Sequence, residues 1–552
     1  MATLSLPGLS TGIDTSLIIR QLVAAASVNG QRLQAKRQTF QEKNTAFTNL
    51  ETRLGSLKDT VDELRSSAEL RAYAVTTGDE TKMTAEATSS ASEGNHEIVI
   101  DRLAAADRKV HAAGLAELTT LVGAGTFVYT YDGKERTIQT TATTTLEGLR
   151  DLINNDGANP GVNASLLEYG PGGTTAYHLV LGGADTGADH AIVIDDDKTS
   201  LDAFDSDAFT TTQAAQNARI RVDGYPADPD WIERGSNTVD DVLPGVTLYL
   251  KATSSTAVSL SLTRDTEGLK TKIKDFVSAY NSVVDYAKQQ TAYNAETRAA
   301  GTLMGEYTIA SVLYRLRTPL IEQATGFQDA QDAYTLAAQI GLTVKSDGKL
   351  ELTEETVESE SKLRQGLDDA ISDNYLGVLA LLGASNTGDT DSTNLRFYGA
   401  HNTTTPGNYE VKATFTDGTL TAAWFRTAGE PDSAWRAATV DGNLIVGAEG
   451  NPEQNLQITG SYTGSGTTTA NVRVRQGIAG RLYDTIENDL SDIIDLSQSR
   501  LSTLIKTVDR DITREEERVT RYQTRLTAQY AKLEQTLTLL KAQQAAVTYS
   551  GL

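Results

Sequence analysis

The sequence predicts an α+β multidomain fold: long helices at the two chain ends form a coiled-coil leg, and β-rich head domains are inserted between them. Two heptad seams, one near each end, and a middle rich in Thr, Gly and Asp carry that reading. From Leu33 onward apolar residues recur every seventh position, at Leu33, Phe40, Phe47, Leu54 and Val61, with a second row at Leu50, Leu57 and Leu64. A helix cannot bury such a seam by itself, so the two must pack on each other, on the body or on other molecules. Extended backward, the first row reaches Ala26 and Ile19 and the second takes in Leu22, and no Gly or Pro interrupts Gln31 to Leu54. One helix of about ten turns is expected there.

The carboxy-terminal seam is more regular, at Ile505, Ile512, Val519, Leu526, Leu533, Leu540 and Val547, with Tyr530 and Leu537 widening the stripe. No Gly or Pro occurs from Leu482 to Ser550, and Arg514, Glu516, Arg518, Arg521 and Arg525 read as the solvated face. Lys36, Lys43, Glu515 and Gln529 interrupt the two seams, which weakens an isolated pair and points to ordering on assembly.

Between the ends, alternating runs bounded by Gly, Asn or Asp read as strands: Glu97 to Asp101, Thr126 to Tyr131, His178 to Leu181, Ala191 to Ile194, Arg219 to Val222 and Val246 to Lys251. A short amphipathic helix, Thr145 to Asn155, is set among them. Longer helices are expected over Leu269 to Gln290 and Ile309 to Ile321. Thr390 to Val474 is strand-rich again and holds Trp424 and Trp435 of the three tryptophans, so it reads as an inserted β domain. Gly94-Asn95-His96-Glu97-Ile98 is echoed by Gly407-Asn408-Tyr409-Glu410-Val411. The resulting division is an amino-terminal leg over 1–75 that pairs with 480–552, a head domain over 76–115 and 210–265, and an α+β head domain inserted at 116–209. A helical domain with a short hairpin at 266–389, a β-rich insert at 390–475 and a carboxy-terminal leg over 476–552 complete it.

Charge and composition exclude several functions. The 552 residues carry 49 Lys and Arg against 73 Asp and Glu, a net charge of −24, so no nucleic-acid partner is expected. Cysteine is absent, which removes disulfides, thiol nucleophiles and thiolate metal sites. No apolar run is long enough to span a bilayer, and Met1 to Ser10 lacks the basic and apolar regions of a cleaved Sec signal. The five histidines, His96, His111, His178, His190 and His401, form no pair at metal-ligand spacing. The acidic run Asp195-Asp196-Asp197 lacks the glycine an EF-hand turn needs, and Gly170-Pro171-Gly172-Gly173 and Gly464-Ser465-Gly466 lack the Lys-Ser/Thr of a phosphate loop. No Gly-x-Ser-x-Gly elbow occurs. No enzymatic activity, metal or cofactor is expected.

Several pieces stand out in order: the opening Gly8-Leu9-Ser10-Thr11-Gly12-Ile13-Asp14, the strand Glu93 to Ala104, and the run from Asn237 to Leu248. The helix Phe276 to Val284 with Ala279-Tyr280-Asn281, then Ile340-Gly341-Leu342 with Asp347-Gly348-Lys349-Leu350, and the closing Gly480-Arg481-Leu482 helix follow. Together they resemble the flagellar hook-associated protein 2 family of filament-capping proteins. Thr145 to Ser165 is similar to an insert motif of flagellin-type proteins, whereas Thr390 to Val474 departs from the family's simplest members.

The resemblance implies a non-enzymatic cap at the distal tip of the bacterial flagellum, extracellular and exported by the flagellar secretion system. It implies an oligomeric plate with legs, of about five or six copies, that promotes assembly of exported flagellin and prevents its leakage. Flagellin subunits, hook-associated junction proteins and an export chaperone are the implied partners. The seam residues Leu33, Phe40, Phe47, Leu54, Leu526, Leu533 and Leu540 are the expected contacts with flagellin or between copies. The insert is the expected outward surface, where adhesion would be a second role. The alternative readings are a flagellin or junction hook-associated structural protein, or a coiled-coil-stalked surface adhesin.

Overall fold

The computed structural model describes residues 14–170, 175–296, 298–359 and 362–549, and the chain divides into two compact units, residues 1–70 with 270–552 and residues 71–269. Of the sequence motifs, Gly8 to Ile13 and Pro171 to Gly173 lie outside the described residues.

In the first unit the amino-terminal heptads fold as two helices, Thr15–Ala26 and the 35-residue Val28–Asp62. The single helix the spacing implies is broken at Ser27, where ψ is −5° and the hydroxyl turns back to the Ala24 carbonyl at 2.8 Å. Serine offers the backbone this alternative partner, and the helix restarts one residue later. The carboxy-terminal seam runs through Ile478–Asp484, a π-helical turn at Thr485–Leu490, and the 59-residue Ser491–Tyr549. At 1.5 Å per residue that last segment is about 90 Å long.

Helices Thr266–Thr291, Tyr307–Ile321 and Leu367–Gly383 complete the helical part. Ile273, Phe276, Tyr280, Val283 and Val284 are buried on one face of the first of these, and its Tyr286 hydroxyl donates to the Ala46 carbonyl at 3.0 Å. The Asn281 carboxamide donates to the Leu350 carbonyl at 2.9 Å and accepts from the Leu350 N–H at 2.8 Å, fixing the hairpin Leu342–Val344 with Leu350–Leu352.

The second unit is built on a sandwich. Its five-stranded antiparallel sheet has the order Tyr73–Thr77, Ser254–Arg264, Gly94–Arg102, Ala218–Val222, Ile232–Arg234. A three-stranded sheet, Thr238–Leu243, Val246–Leu250, Met83–Ala87, shares one core with it, including Met83, Ile98, Ile100, Ile220, Leu248 and Leu260. Asn237 brackets Ala104 as Asn281 brackets Leu350, at 2.8 and 2.9 Å. Between Gly94–Arg102 and Ala218–Val222 the chain makes a further domain with its own core around Phe127, Tyr129, Leu149, Ile153 and Leu179. Its helix Leu146–Asn154 is capped by Thr145, whose hydroxyl accepts from the Gly148 N–H at 3.0 Å, and Asn154 brackets Ala164 at 2.7 and 2.8 Å.

Residues 387–475 fold as another β sandwich inside the first unit. It is held by a stiff stem. The Gly477 N–H donates to the Ala384 carbonyl at 2.8 Å and the Gln476 N–H to the Thr325 carbonyl at 3.0 Å. A Cβ on Gly477 would lie 2.3 Å from the Leu382 carbonyl oxygen, so the two crossings touch backbone to backbone. Asp332 receives Arg473 and Arg475, both at 2.8 Å, and both arginines also reach Asp389. Burial, the largest single influence on the Asp389 carboxyl, raises its pKa, but Arg473 and Arg475 together outweigh it and hold the pKa below the ordinary value.

Asn237→Ala is expected to leave the Ala104 backbone groups without partners and lower the stability of the sandwich by about 1–3 kcal/mol, read from its urea midpoint. Because the Asp389 pKa is depressed on folding, its stabilising contribution is complete above 3.8 and is lost as pH falls through the lower folded value. Limited proteolysis across an acid series should therefore show the junctions of residues 387–475 opening on the acid side of 3.8, and Asp389→Asn should flatten that pH dependence.

Candidate functional site

The two terminal helices lie antiparallel, and bonds between them set the register. Lys58 meets Glu487 at 2.6 Å, Gln498 meets Glu51 at 3.1 Å and Arg37 meets Asp509 at 3.4 Å. Farther along, Arg518 donates to the Ala26 carbonyl at 2.9 Å and the Thr15 hydroxyl to Glu534 at 2.8 Å. The seam is covered unevenly. At one end Phe47, Leu50, Leu54, Leu57 and Val61 are buried, as are Ile486, Leu490, Ile494 and Leu501 of the opposite helix, because the helices Thr266–Thr291 and Tyr307–Ile321 close over them.

Toward the other end the cover thins. Leu33 and Phe40 are half-buried and Leu526 is still buried, but Leu533 and Leu540 are 50% and 53% exposed, with Leu539 beside them. On the amino-terminal side Leu17, Leu22 and Val28 are exposed as well. The seven seam residues singled out in the sequence thus fall into three groups, with Leu33 and Phe40 in between. Phe47, Leu54 and Leu526 are buried within this chain, while Leu533 and Leu540 present apolar surface to water. Burying the open half of one such leucine is worth about 1 kcal/mol.

Two of the polar interruptions of the seam are ion-paired. Lys43 pairs with Glu306 at 2.6 Å, and Glu515 is paired with Arg518 at 2.7 Å. The hydrogen bond from Arg518 is the main cause of the lowered Glu515 pKa. In the acidic run Asp195 pairs with Lys198 at 3.0 Å, and Asp196 accepts from the Ser206 N–H and hydroxyl, both at 2.6 Å.

A second apolar stripe was not singled out in the sequence. Tyr307, Tyr314 and Ile321 stand seven apart on one helix and are exposed, Tyr307 by 84%, with Met304 just ahead of them. Heptad spacing was the available signal, but the 15-residue helix holds only these three positions of the row.

A family model described as the flagellar hook-associated protein 2 C-terminus matches residues 215–542, more than half of the chain. The chain belongs to the flagellar hook-associated protein 2 family. The N-terminal model of that hook-associated protein 2 family matches residues 11–107, and a flagellin hook IN motif matches residues 126–182. Flagellar hook-associated protein 2 of Escherichia coli strain K12 is 30% identical over 380 residues, covering 64% of this chain and 76% of that protein. The A-type flagellar hook-associated protein 2 of Pseudomonas aeruginosa is 27% identical over 410 residues, covering 69% and 80%. Among solved structures, the D1-D2-D3 domains of the flagellar cap protein FliD from Escherichia coli are similar with a TM-score of 0.50 and 29% identity, over 61% of this chain and 90% of that one. These matches favour hook-associated protein 2 over a flagellin, a junction protein or an unrelated adhesin.

The uneven cover of the seam makes a sharp contrast. Phe47→Ala is expected to lower unfolding stability by about 3–5 kcal/mol, whereas Leu533→Ala should stay within about 0.5 kcal/mol of the parent protein. Thermal unfolding followed by circular dichroism compares the two.

Proposed function

We propose that this protein caps the flagellar filament at its distal tip, as a non-enzymatic homo-oligomer under which exported flagellin subunits are added. Membership of the hook-associated protein 2 family supports the reading, and the observation that carries it to particular residues is the exposed end of the helix pair. A partner that buries Leu533, Leu539 and Leu540 gains apolar area that the chain itself leaves in water. Flagellin subunits are that partner. Leu33 and Phe40, half-buried along the same pair, widen the contact.

The exposed stripe of Tyr307, Tyr314 and Ile321 is the surface for neighbouring copies in a ring of about five or six subunits. Delivery to the tip is through the flagellar export system, with an export chaperone holding the unassembled chain and hook-associated junction proteins preceding it in assembly. Both terminal seams are exposed apolar surface before they pair, which is what a chaperone of such a chain must cover.

The test is the double variant Leu533→Asp, Leu540→Asp in the native bacterium. Charges placed where apolar surface must be buried should abolish capping: filaments are lost and monomeric flagellin accumulates in the medium, while the purified variant keeps the parent's thermal transition. Filaments of normal length with that variant would show that this end of the helix pair does not contact flagellin.

A further inference from the structure

Residues 387–475 repeat the head sandwich strand for strand. In the head, the first strand, Tyr73–Thr77, edges the larger sheet beside the last, Ser254–Arg264, and the third, fourth and fifth follow, Gly94–Arg102, Ala218–Val222 and Ile232–Arg234. The second, Met83–Ala87, crosses to the smaller sheet and pairs with Val246–Leu250, the strand just before the last. In the insert the first strand, Thr387–Thr390, again lies beside the last, Gly466–Arg475, followed by Gly407–Thr416, Thr419–Thr427 and Arg436–Ala437. Its second, Leu395–Gly399, again crosses over and pairs with Gln457–Gly460, the strand just before the last. Every pairing in both sandwiches is antiparallel, and the insert adds only Thr439–Asp441 at one edge.

Two side-chain features repeat, the first in register and the second with its arginine shifted two residues along the fourth strand. Gly94-Asn95-His96-Glu97-Ile98 and Gly407-Asn408-Tyr409-Glu410-Val411 each open the third strand, with Gly94 opposite Leu262 and Gly407 opposite Val474 on the last strand. Four residues on, Ile98 faces Val222 and Val411 faces Phe425 on the fourth. After the fourth strand each sandwich turns a corner through Asp-x-x-Trp. Arg221 pairs with Asp228 at 2.7 Å and stacks over Trp231 at 3.9 Å; Arg426 pairs with Asp432 at 2.6 Å and stacks over Trp435 at 4.5 Å. Strand order, a strand-opening pentapeptide and a stacked corner are independent coincidences for two unrelated sandwiches. They are ordinary for two copies of one unit.

The copies differ most between the third and fourth strands. The head carries its further domain there, entered and left through the bridged pair Ala105 and Gln216, whereas the insert closes with the exposed turn Asp417-Gly418 between the paired residues Thr416 and Thr419. Both residues of that turn have positive φ, as a tight hairpin requires. Cross-strand partners stand about 4.5–5.5 Å apart in either copy, so a domain whose own ends are neighbours fits without tearing the ladder. We infer that residues 387–475 are a second copy of the head sandwich and that the Asp417-Gly418 turn is its site for accepting a folded domain of the kind the head already holds.

Two reciprocal variants of the full chain test this. One replaces Asp417-Gly418 with a second copy of residues 106–215; the other replaces residues 106–215 of the head with Asp-Gly. The graft should fold with the transition of the 106–215 domain doubled in calorimetric enthalpy and the protease resistance of 387–475 unchanged. The excision should leave a folded head sandwich closed by a two-residue hairpin. Collapse of the insert in the first variant, or collapse of the head in the second, would overturn the inference.

Discussion

The structure depends on one covering contact: the apolar seam of Val28–Asp62 is hidden by a helix from the opposite end of the chain. Neither helix can bury its own stripe, so hydrophobic burial ties together residues more than four hundred positions apart, such as Lys58 with Glu487 and Thr15 with Glu534. Everything else is then folded as an excursion from that pair. Strand partners, Ala105 with Gln216 for the further domain and Thr387 with Arg475 for the insert, bring each excursion back to where it left. Closing a loop between residues already held together adds little entropy cost as the loop lengthens, which is how one chain carries nested domains.

A small device recurs at the junctions. Asn154, Asn237 and Asn281 each use one carboxamide to bond both backbone groups of a single residue, respectively Ala164, Ala104 and Leu350. The side-chain amide matches a peptide group in donor and acceptor, so it acts as a one-residue extension of a strand where no strand is available. Aspartate lacks the donor and serine the reach, which is why asparagine stands in all three places. In the insert arginines take the corresponding work, with Arg473 and Arg475 spanning Asp332 and Asp389.

Much of this was legible from the residues. The heptads located both terminal helices, and alternation located strands such as Thr126 to Tyr131 and Val246 to Lys251 because their inward positions are large and apolar. Strands that spend half their residues on Ser and Thr, above all Ser254–Arg264, escaped that reading: only Ser254, Val258, Leu260 and Leu262 of its eleven residues are buried. The break at Ser27 was hidden because a serine hydroxyl turning onto its own helix leaves no periodic mark. At the site, periodicity gave the seam but not its split into covered and open halves. Phe47 and Leu533 occupy equivalent positions in their heptads, and only the tertiary placement of Thr266–Thr291 and Tyr307–Ile321 over the first makes one core and the other surface.

The antiparallel pairing also imposes an order in time. In a chain made from its amino-terminal side one half of the seam is present first, and its covering half, Ser491–Tyr549, lies more than four hundred residues further on. The β sandwiches close from residues nearer one another in sequence, whereas the helix pair waits for segments more than four hundred residues apart. Completion of the pair therefore follows the presence of both its halves and of every domain between them, and the open apolar end at Leu533 and Leu540 comes into being as a structured surface only at that moment.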